Sequence, residues 1–280
     1  MISNDVAASD GSCRLFEDTP LWDGGPTAAV GQFACPDAAS GQIILEEACT
    51  SLRDRGFRNV LGPMDGDTWH RYRLVSWSDG TPPFTMEPTS GPYDLDAFVA
   101  AGFSVVSEYV SAITSLDHAL AGAAAATGGA FSVESWNGDR SERLLDRLHT
   151  MSLSAFAKNK FYRPISREEF GAIYAPVMRF VDPNFVLFAL DAEGADAGFL
   201  FGLPNLTPGY THCAILKTYA SLRRGVGRVL AEDFHRRARN RGFTHAIHAL
   251  MHVDNVSSNR SGLYESHVFR RYLLMGRHLA

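Results

Sequence analysis

Residues 214–230 read AILKTYASLRRGVGRVL. The apolar run at the start of this stretch predicts a buried strand, and the two glycines near its end predict a tight loop. Apolar residues then recur at intervals of three and four, which predicts an amphipathic helix that Gly242 ends. The residues from Phe243 to Leu250 predict a second strand. The order is therefore strand, loop, helix, strand.

The loop Arg223-Arg224-Gly225-Val226-Gly227-Arg228 has the composition of an anion-binding site. The first turn of a helix presents backbone N–H groups without intrahelical partners, together with the positive end of the helix dipole. Glycine lets phosphate oxygens approach this backbone, and arginine adds charge-assisted hydrogen bonds. The sequence therefore predicts that the loop binds a pyrophosphate-containing cofactor.

This strand, loop and helix resemble motif A of the GCN5-related N-acetyltransferases (the GNAT superfamily), in which the loop holds the pyrophosphate of coenzyme A. The family pattern Gln/Arg-x-x-Gly-x-Gly/Ala is met at Gly225 and Gly227, but Leu222 stands at its first position and the arginine is displaced to Arg223. The resemblance extends over about residues 131–280. It implies a phosphopantetheine thioester as acyl donor.

The resemblance also implies individual site residues. Those that would contact acetyl-CoA or acyl-CoA are Lys217, Thr218, Tyr219, Arg223, Arg224, Gly225, Val226, Gly227, Arg228, Asn255 and Ser258. In many members a tyrosine at the position of Tyr264 protonates the departing thiolate, and packing on a helix face is the alternative role. An imidazole with the unperturbed pKa of about 6.5 suits a base that accepts the proton of an amine, a role that His212 could have; a surface histidine is the alternative.

An internal repeat predicts the domain organisation. Arg53-Asp54-Arg55-Gly56-Phe57 matches Arg239-Asn240-Arg241-Gly242-Phe243 in four of five positions, at an offset of 186 residues that also places Gly41 on Gly227. We therefore expect an α/β (α+β) protein of two tandem GNAT-like units, each a mixed, mostly antiparallel sheet flanked by helices. Residues 1–125 would form a degenerate unit without its own cofactor, because Ala39-Ser40-Gly41 replaces Gly-x-Gly, and residues 126–280 would carry the pyrophosphate loop.

Periodicity predicts further elements in both halves. The predicted helices cover 41–53, 141–156 and 166–180, and the predicted strands cover 103–110, 131–136, 185–190, 197–203 and 268–275. Two other segments, Gly62 to Trp69 and Pro82-Pro83-Phe84, resemble parts of tandem acetyltransferase-like proteins. They would either line a substrate cleft between the halves or stabilise the fold.

Composition restricts the classes of protein. The net charge of −5 argues against general nucleic-acid binding, and no window of about 18 apolar residues predicts a membrane span. The N-terminus lacks the features of an export signal, and the four cysteines have no C-x-x-C spacing, so a cytoplasmic protein with free thiols is expected. The tract from His245 to His252 would place His248 and His252 together on a helix, but a strand is favoured here and no metal site is expected.

The predicted function is transfer of an acyl group from acyl-CoA or an acyl carrier protein to an amine of a small molecule. Between Lys217 and Arg241 there are eight basic residues and two acidic ones, so the helix Arg228–Arg241 would suit an acidic acyl carrier protein as partner. Three alternatives remain open. The donor could be an aminoacyl-tRNA, the chain could be a non-catalytic acyl-CoA-binding regulator, or the basic helix could bind nucleic acid.

Overall fold

The structure is a computed structural model that describes residues 4–8, 11–121, 131–138, 141–178, 180–209, 212–254 and 266–279. Its helices are α1 Ala38–Asp54, α2 Asp94–Ala100, α3 Leu116–Ala121, α4 Ser141–Phe156, α5 Arg167–Met178 and α6 Val226–Asn240, with a short 3-10 helix at Pro183–Phe185. In the described part of the chain, no helix is long and apolar enough to cross a membrane.

The strands that the structure describes join into one twelve-stranded sheet. They are β1 Asp5–Ala8, β2 Gly11–Phe16, β3 Thr27–Ala34, β4 Asn59–Gly62, β5 Leu74–Ser78, β6 Ser104–Ser115, β7 Ser132–Ser135, β8 Val186–Leu190, β9 Asp196–Pro204, β10 Cys213–Ser221, β11 His245–His252 and β12 His267–His278. The order across the sheet is β1-β2-β3-β4-β12-β6-β11-β10-β9-β8-β7, and β5 also pairs with β12. Two pairs, β3–β4 and β10–β11, are parallel, and the others described are antiparallel.

The predicted mixed α/β fold, with a large, mostly antiparallel sheet and flanking helices, is confirmed. Helix α4 has the predicted bounds, and α1, α5 and α6 begin and end within a few residues of the prediction. The predicted hairpin forms between β8 and β9, where Asp191 N donates to Ala195 O at 2.9 Å. Strands β1, β2, β3 and β5 and the helices α2 and α3 were not predicted, because their apolar residues are few or irregularly spaced.

The offset of 186 residues relates the registers of the two parallel pairs. Thr27 pairs with Asn59 in β3–β4, and Cys213 pairs with His245 in β10–β11. The offset therefore places Thr27 on Cys213 and Asn59 on His245. The helix ends agree as well: Gly56 N donates to Arg53 O at 2.9 Å, and Gly242 N donates to Arg239 O at 3.0 Å. Gly56 and Gly242 have φ values of 88° and 86°, a left-handed conformation that glycine adopts without steric cost.

The last strand of each half pairs with the other half. Strand β6 lies between β12 and β11, whereas β12 lies beside β4, β5 and β6. At the centre of the β6–β12 pair, Tyr109 stands opposite Tyr272. The sheet is therefore continuous across the two halves, and neither half completes its own sheet.

Helices cover both faces of the C-terminal part of the sheet. Because side chains alternate along a strand, Ile215 of β10 packs in a cluster with residues of α4 and α5, whereas Leu216 packs in a cluster with residues of α6. Phe84, from the segment between β5 and α2, is 3% exposed and belongs to the first of these clusters. An N-terminal segment thus completes the core of the C-terminal half.

Candidate functional site

A cleft opens between β10 and β11. The two strands pair from Cys213–His245 to Leu216–His248, and the described register contains no later pair although β10 continues to Ser221. A bulge in the β9–β10 register leaves Lys217 unmatched between Leu216 and Thr218. The edge of β10 beyond Leu216 is therefore open toward β11, and its backbone groups can bind an extended ligand.

The open edge leads to the loop before α6. Gly225 is the N-cap residue of the helix, with φ 94°, and a Cβ atom there would meet no atom within 4 Å. The glycine is therefore required by its left-handed backbone rather than by crowding. Among the described residues, no acceptor bonds to the backbone N–H groups of Arg224, Gly225 and Gly227. Free backbone donors at the positive end of a helix dipole are the features that anion-binding helix starts have in general.

The arginines of the loop differ in their partners. Arg223 Nη2 lies 3.0 Å from Asp191 Oδ2 in the β8–β9 turn, and Arg228 Nε lies 2.6 Å from Glu232 Oε1 one helical turn later. Arg224 is exposed, and no carboxylate of the described chain forms an ion pair with it. Arg224 is thus the cation of the loop that is available to a ligand without breaking such a pair.

Acidic neighbours compensate much of the basic helix. Arg236 and Arg237 both pair with Asp233, at 2.7 and 2.5 Å. Arg239 Nη2 lies 2.8 Å from Asp117, and Arg241 Nη2 lies 2.6 Å from Asp182. The concentration of positive charge in the sequence is therefore much smaller on the folded surface.

The other predicted site residues fall in three places. Lys217, Thr218 and Tyr219 lie on the open part of β10. His212 is exposed in the turn before β10, beyond the end at which β10 and β11 are hydrogen-bonded, so it is remote from the open end of the cleft. Asn255, Ser258 and Tyr264 lie outside the described residues.

A buried arginine from the N-terminal half lies beside the cleft. Arg73 is 7% exposed, and its guanidinium carbon lies 3.8 Å from the ring centre of Tyr72 and 4.0 Å from that of Tyr109. Its Nη1 donates to the carbonyl oxygen of Leu250 at 3.3 Å, on the part of β11 that has left β10. Nothing in the local sequence marks Arg73 as a site residue, because tertiary contacts bury it.

A buried carboxylate, Glu87, anchors a polar network on β12. Its Oε1 accepts from Arg270 Nε at 2.9 Å and from the Tyr272 hydroxyl at 2.5 Å. Tyr272 also lies 3.0 Å from Ser111 Oγ, which accepts from Leu250 N at 3.0 Å. Burial, and then the charge of Glu87, raise the pKa of Tyr272, so this phenol stays protonated as a donor.

Lys217 faces the segment that carries Glu87. Its Nζ donates to the carbonyl oxygen of Met86 at 2.9 Å. The pKa of Lys217 is lowered to about 7, first by burial and then by the charge of Arg73, against the opposing charge of Glu87. The segment with Pro82-Pro83-Phe84 thus contacts both the core of the C-terminal half and Lys217 at the cleft.

The corresponding helix start in the N-terminal half is built differently. Asp37 is the N-cap of α1, and its Oδ1 accepts from Ser40 N at 2.8 Å. A Cβ atom at Gly41 would lie 2.6 Å from the Cβ of Ala97 in α2 and 2.9 Å from Cys35 Sγ. A carboxylate therefore takes the backbone donor that a phosphate would need, and Gly41 serves close packing of α1 on α2.

The histidine tract does not bring its members together. His248 is buried with its Nε2 3.0 Å from that of His235 in α6, while His252 lies 2.9 Å from Ser107 Oγ. Among the described residues, no group of three or more His, Cys, Asp or Glu side chains could hold a metal ion.

A separate cavity of about 730 Å³ lies between β7 and α4, lined by Trp136, Arg143 and Arg147 among others, and it is not part of the cleft.

The sequence matches no protein-family model and no curated protein, whereas comparison of structures finds many similar folds. A GCN5-related N-acetyltransferase from Sphaerobacter thermophilus aligns with a TM-score of 0.59 at 14% identity, over 96% of this chain and 76% of the other. A tandem GNAT protein from the clavulanic acid biosynthesis pathway aligns with a TM-score of 0.56 at 16% identity, over 99% and 82%.

A third structure, a GCN5-related N-acetyltransferase from Anabaena variabilis, aligns with a TM-score of 0.54 at 10% identity, over 99% of this chain and 63% of the other. These alignments cover nearly the whole of this chain, including both halves. The chain therefore has the fold of the GCN5-related N-acetyltransferases. At such identities the likeness concerns the fold, and function has to be argued from the site.

Proposed function

We propose that this protein is an N-acyltransferase that uses a phosphopantetheine thioester as donor and the amine of a small molecule as acceptor. The observation that carries the proposal is the open edge of β10 leading directly to the unpaired N–H groups before α6. A pantetheine arm would bond to the backbone of β10 beyond Leu216, and the pyrophosphate would bind at Arg223–Arg228.

In the proposed reaction, the amine nitrogen attacks the thioester carbonyl, the C–S bond breaks, and the thiolate leaves with a proton while the amine loses one. The bulge at Lys217 supports an oxyanion site near Lys217–Tyr219, because a bulged residue is outside the ladder with β9. Tyr264 would protonate the thiolate. The fold neighbours named as N-acetyltransferases support this reaction class.

Affinity for coenzyme A tests the proposal through a matched pair of glycines. Gly225 and Gly242 lie at opposite ends of α6, both have positive φ, and a Cβ atom at either would meet no atom within 4 Å. Glutamate imposes a similar backbone strain at both sites, but only Gly225→Glu places a carboxylate at the proposed phosphate site. We expect Gly225→Glu to weaken binding of coenzyme A at least tenfold in calorimetry, and Gly242→Glu to leave it within about twofold.

If the wild type binds neither coenzyme A, acetyl-CoA nor acylated carrier protein, the proposal is wrong. If it binds them but Tyr264→Phe and His212→Gln change no measurable function, the alternative of a non-catalytic regulator is favoured. We expect His212→Gln to have little effect, because His212 lies beyond the closed end of the cleft.

An acyl carrier protein is the competing donor. The ion pairs of Arg236, Arg237, Arg239 and Arg241 support free acyl-CoA instead, since they reduce the charge offered to an acidic partner. A carrier-protein donor would give steep salt dependence of kcat/KM that Arg239→Gln lessens. With free acyl-CoA, Arg239→Gln leaves kcat/KM unchanged.

A further inference from the structure

Arg73 is buried, and no described residue serves as its counter-ion. Among the described residues, no carboxylate lies within 4 Å of its guanidinium, and its Nε is buried with no hydrogen-bond acceptor. Its bond to Leu250 O and the two flanking tyrosine rings account for only part of its donor capacity. Buried arginines are ordinarily paired, because an uncompensated charge out of water is costly.

The surroundings of Arg73 carry an excess of positive charge. Lys217 is close enough for the charge of Arg73 to disfavour its ammonium form. Glu87 is the buried carboxylate of this region, and it already accepts hydrogen bonds from Arg270, Tyr272 and the backbone N–H of Phe84. The cationic side chains of Arg73, Lys217 and Arg270 thus surround one carboxylate, that of Glu87, whose oxygen atoms already accept hydrogen bonds. Tyr72 and Tyr109 flank Arg73, and His252 packs on Tyr109. Burial lowers the pKa of His252; the charges of Lys160 and Arg73 also lower it, and those of Asp254 and Glu108 oppose them.

The position of this excess charge is defined by the two strands of the cleft. Lys217 follows Leu216, the last residue of β10 that pairs with β11. Leu250, which accepts from Arg73, follows His248, the last paired residue of β11. The two cations therefore approach the closed end of the cleft from both sides, where the proposed reaction would place the thioester carbonyl.

We propose that Arg73 and Lys217 bind a carboxylate group carried by a substrate of the acyl transfer. A carboxylate can accept two parallel hydrogen bonds from a guanidinium and a third from an ammonium, and it removes the repulsion between the cations. The anion site itself follows from Arg73 and Lys217, while its role in catalysis rests on the proposed function. The carboxylate belongs either to an amino-acid-like acceptor or to a dicarboxylic acyl group.

Acetate is the probe for the site. Reductive methylation modifies the neutral form of lysine, and mass spectrometry of peptides measures its rate at Lys217, with the exposed Lys158 as internal reference. A bound carboxylate favours the charged amine, so we expect acetate, relative to chloride at equal ionic strength, to slow methylation of Lys217 at least threefold. In Arg73→Gln the effect should disappear. In Arg71→Gln, a change to the neighbouring half-exposed arginine, it should persist.

Two results of the acetate experiment would overturn the inference. One is a methylation rate of wild-type Lys217 that acetate does not change, which needs no variant to fold. The other is equal slowing in wild type and Arg73→Gln, which would mean that acetate acts elsewhere. Loss of coenzyme A binding with the acetate effect intact would instead overturn the proposed function alone.

Two further experiments distinguish whether the acyl group or the acceptor carries the carboxylate. If the acyl group carries it, succinyl-CoA should bind at least tenfold more tightly than propionyl-CoA, and Arg73→Gln should abolish the difference. If the acceptor carries it, the two thioesters should bind alike, and glycine but not glycinamide should slow methylation of Lys217 in protein saturated with coenzyme A. If neither arm gives a difference that depends on Arg73, no substrate carboxylate binds here and the inference is wrong.

Discussion

At the scale of single residues, the helices α1 and α6, which the offset of 186 residues relates, begin with different chemistry. Gly225 leaves the N-terminus of α6 open, with backbone donors that no described residue uses, whereas Asp37 caps α1 with its own carboxylate. One residue type thus separates a helix end that can accept a phosphate from one that supplies its own anion. This difference supports a single cofactor site, in the C-terminal half.

The pair of buried histidines gives a prediction at the same scale. His235 and His248 share a hydrogen bond between their Nε2 atoms, which requires that at least one be neutral. Burial lowers the pKa of His248 to about 4. Burial also lowers the pKa of His235, and the charge of His248 acts in the same direction. In the unfolded chain a histidine has a pKa of about 6.5, which is above the pKa in the folded protein. At pH values between the two, the unfolded chain binds more protons, so stability falls as pH falls.

We therefore expect acidification from pH 7 to 4.5 to cost the wild type about 2–3 kcal/mol through His248 alone. Urea unfolding at both pH values measures the loss, and His248→Gln should show a smaller pH-dependent loss whatever its stability at pH 7. His245→Gln, on the exposed end of the same strand, is the control and should keep the wild-type loss. Identical losses in wild type and His248→Gln would contradict the assignment.

At the scale of elements, the segment between β5 and α2 connects the halves. Phe84 packs against Phe269 with ring centres 6.0 Å apart, and the Thr85 hydroxyl donates to Asn205 Oδ1 at 3.0 Å. Met86 and Glu87 then contact Lys217 and Arg270. The segment lacks regular structure, yet it places the buried Phe84 and the buried carboxylate of Glu87 against the C-terminal half.

Removal of its main anchor should therefore destabilise the C-terminal half. Phe84→Ala leaves a cavity in the core shared with α4 and α5, and we expect it to lower the free energy of unfolding by about 3–5 kcal/mol. Met86→Ala changes a side chain that is 38% exposed and should cost less than about 0.5 kcal/mol. Chemical denaturation of both variants tests this. A similar small effect for both would mean that the segment lies on the surface in solution.

At the scale of the whole molecule, the crossing of β6 and β12 makes folding of the halves interdependent. Strand β12 forms its pairs with β4, β5 and β6, and the outer neighbour of β11 is β6. Separation at the predicted boundary between residues 125 and 126 would leave β11 and β4 with exposed, unpaired edges. Unpaired edges of this kind cost backbone hydrogen bonds and promote aggregation.

We therefore expect fragments 1–125 and 126–280 to be unfolded or aggregated when produced separately and to form a soluble complex when produced together. Circular dichroism and size-exclusion chromatography measure this, with the intact chain unfolding in one cooperative transition as the reference. A separate fragment 126–280 that folds and binds coenzyme A as the intact chain does would contradict the prediction.

The sequence by itself determined the local elements that carry strong periodicity and the loop between them. Helix α6, its glycine ends, β10 and β11 follow from spacing and from backbone chemistry, which act over a few residues. The same is true of the offset that relates the two parallel pairs.

Only the tertiary structure decided which strand completes each half, which arginines keep their charge uncompensated, and that Arg73 and Glu87 lie beside Lys217. The first and the last of these features join residues more than a hundred positions apart. Burial and pairing over that separation depend on how the whole sheet closes, and no local pattern encodes it.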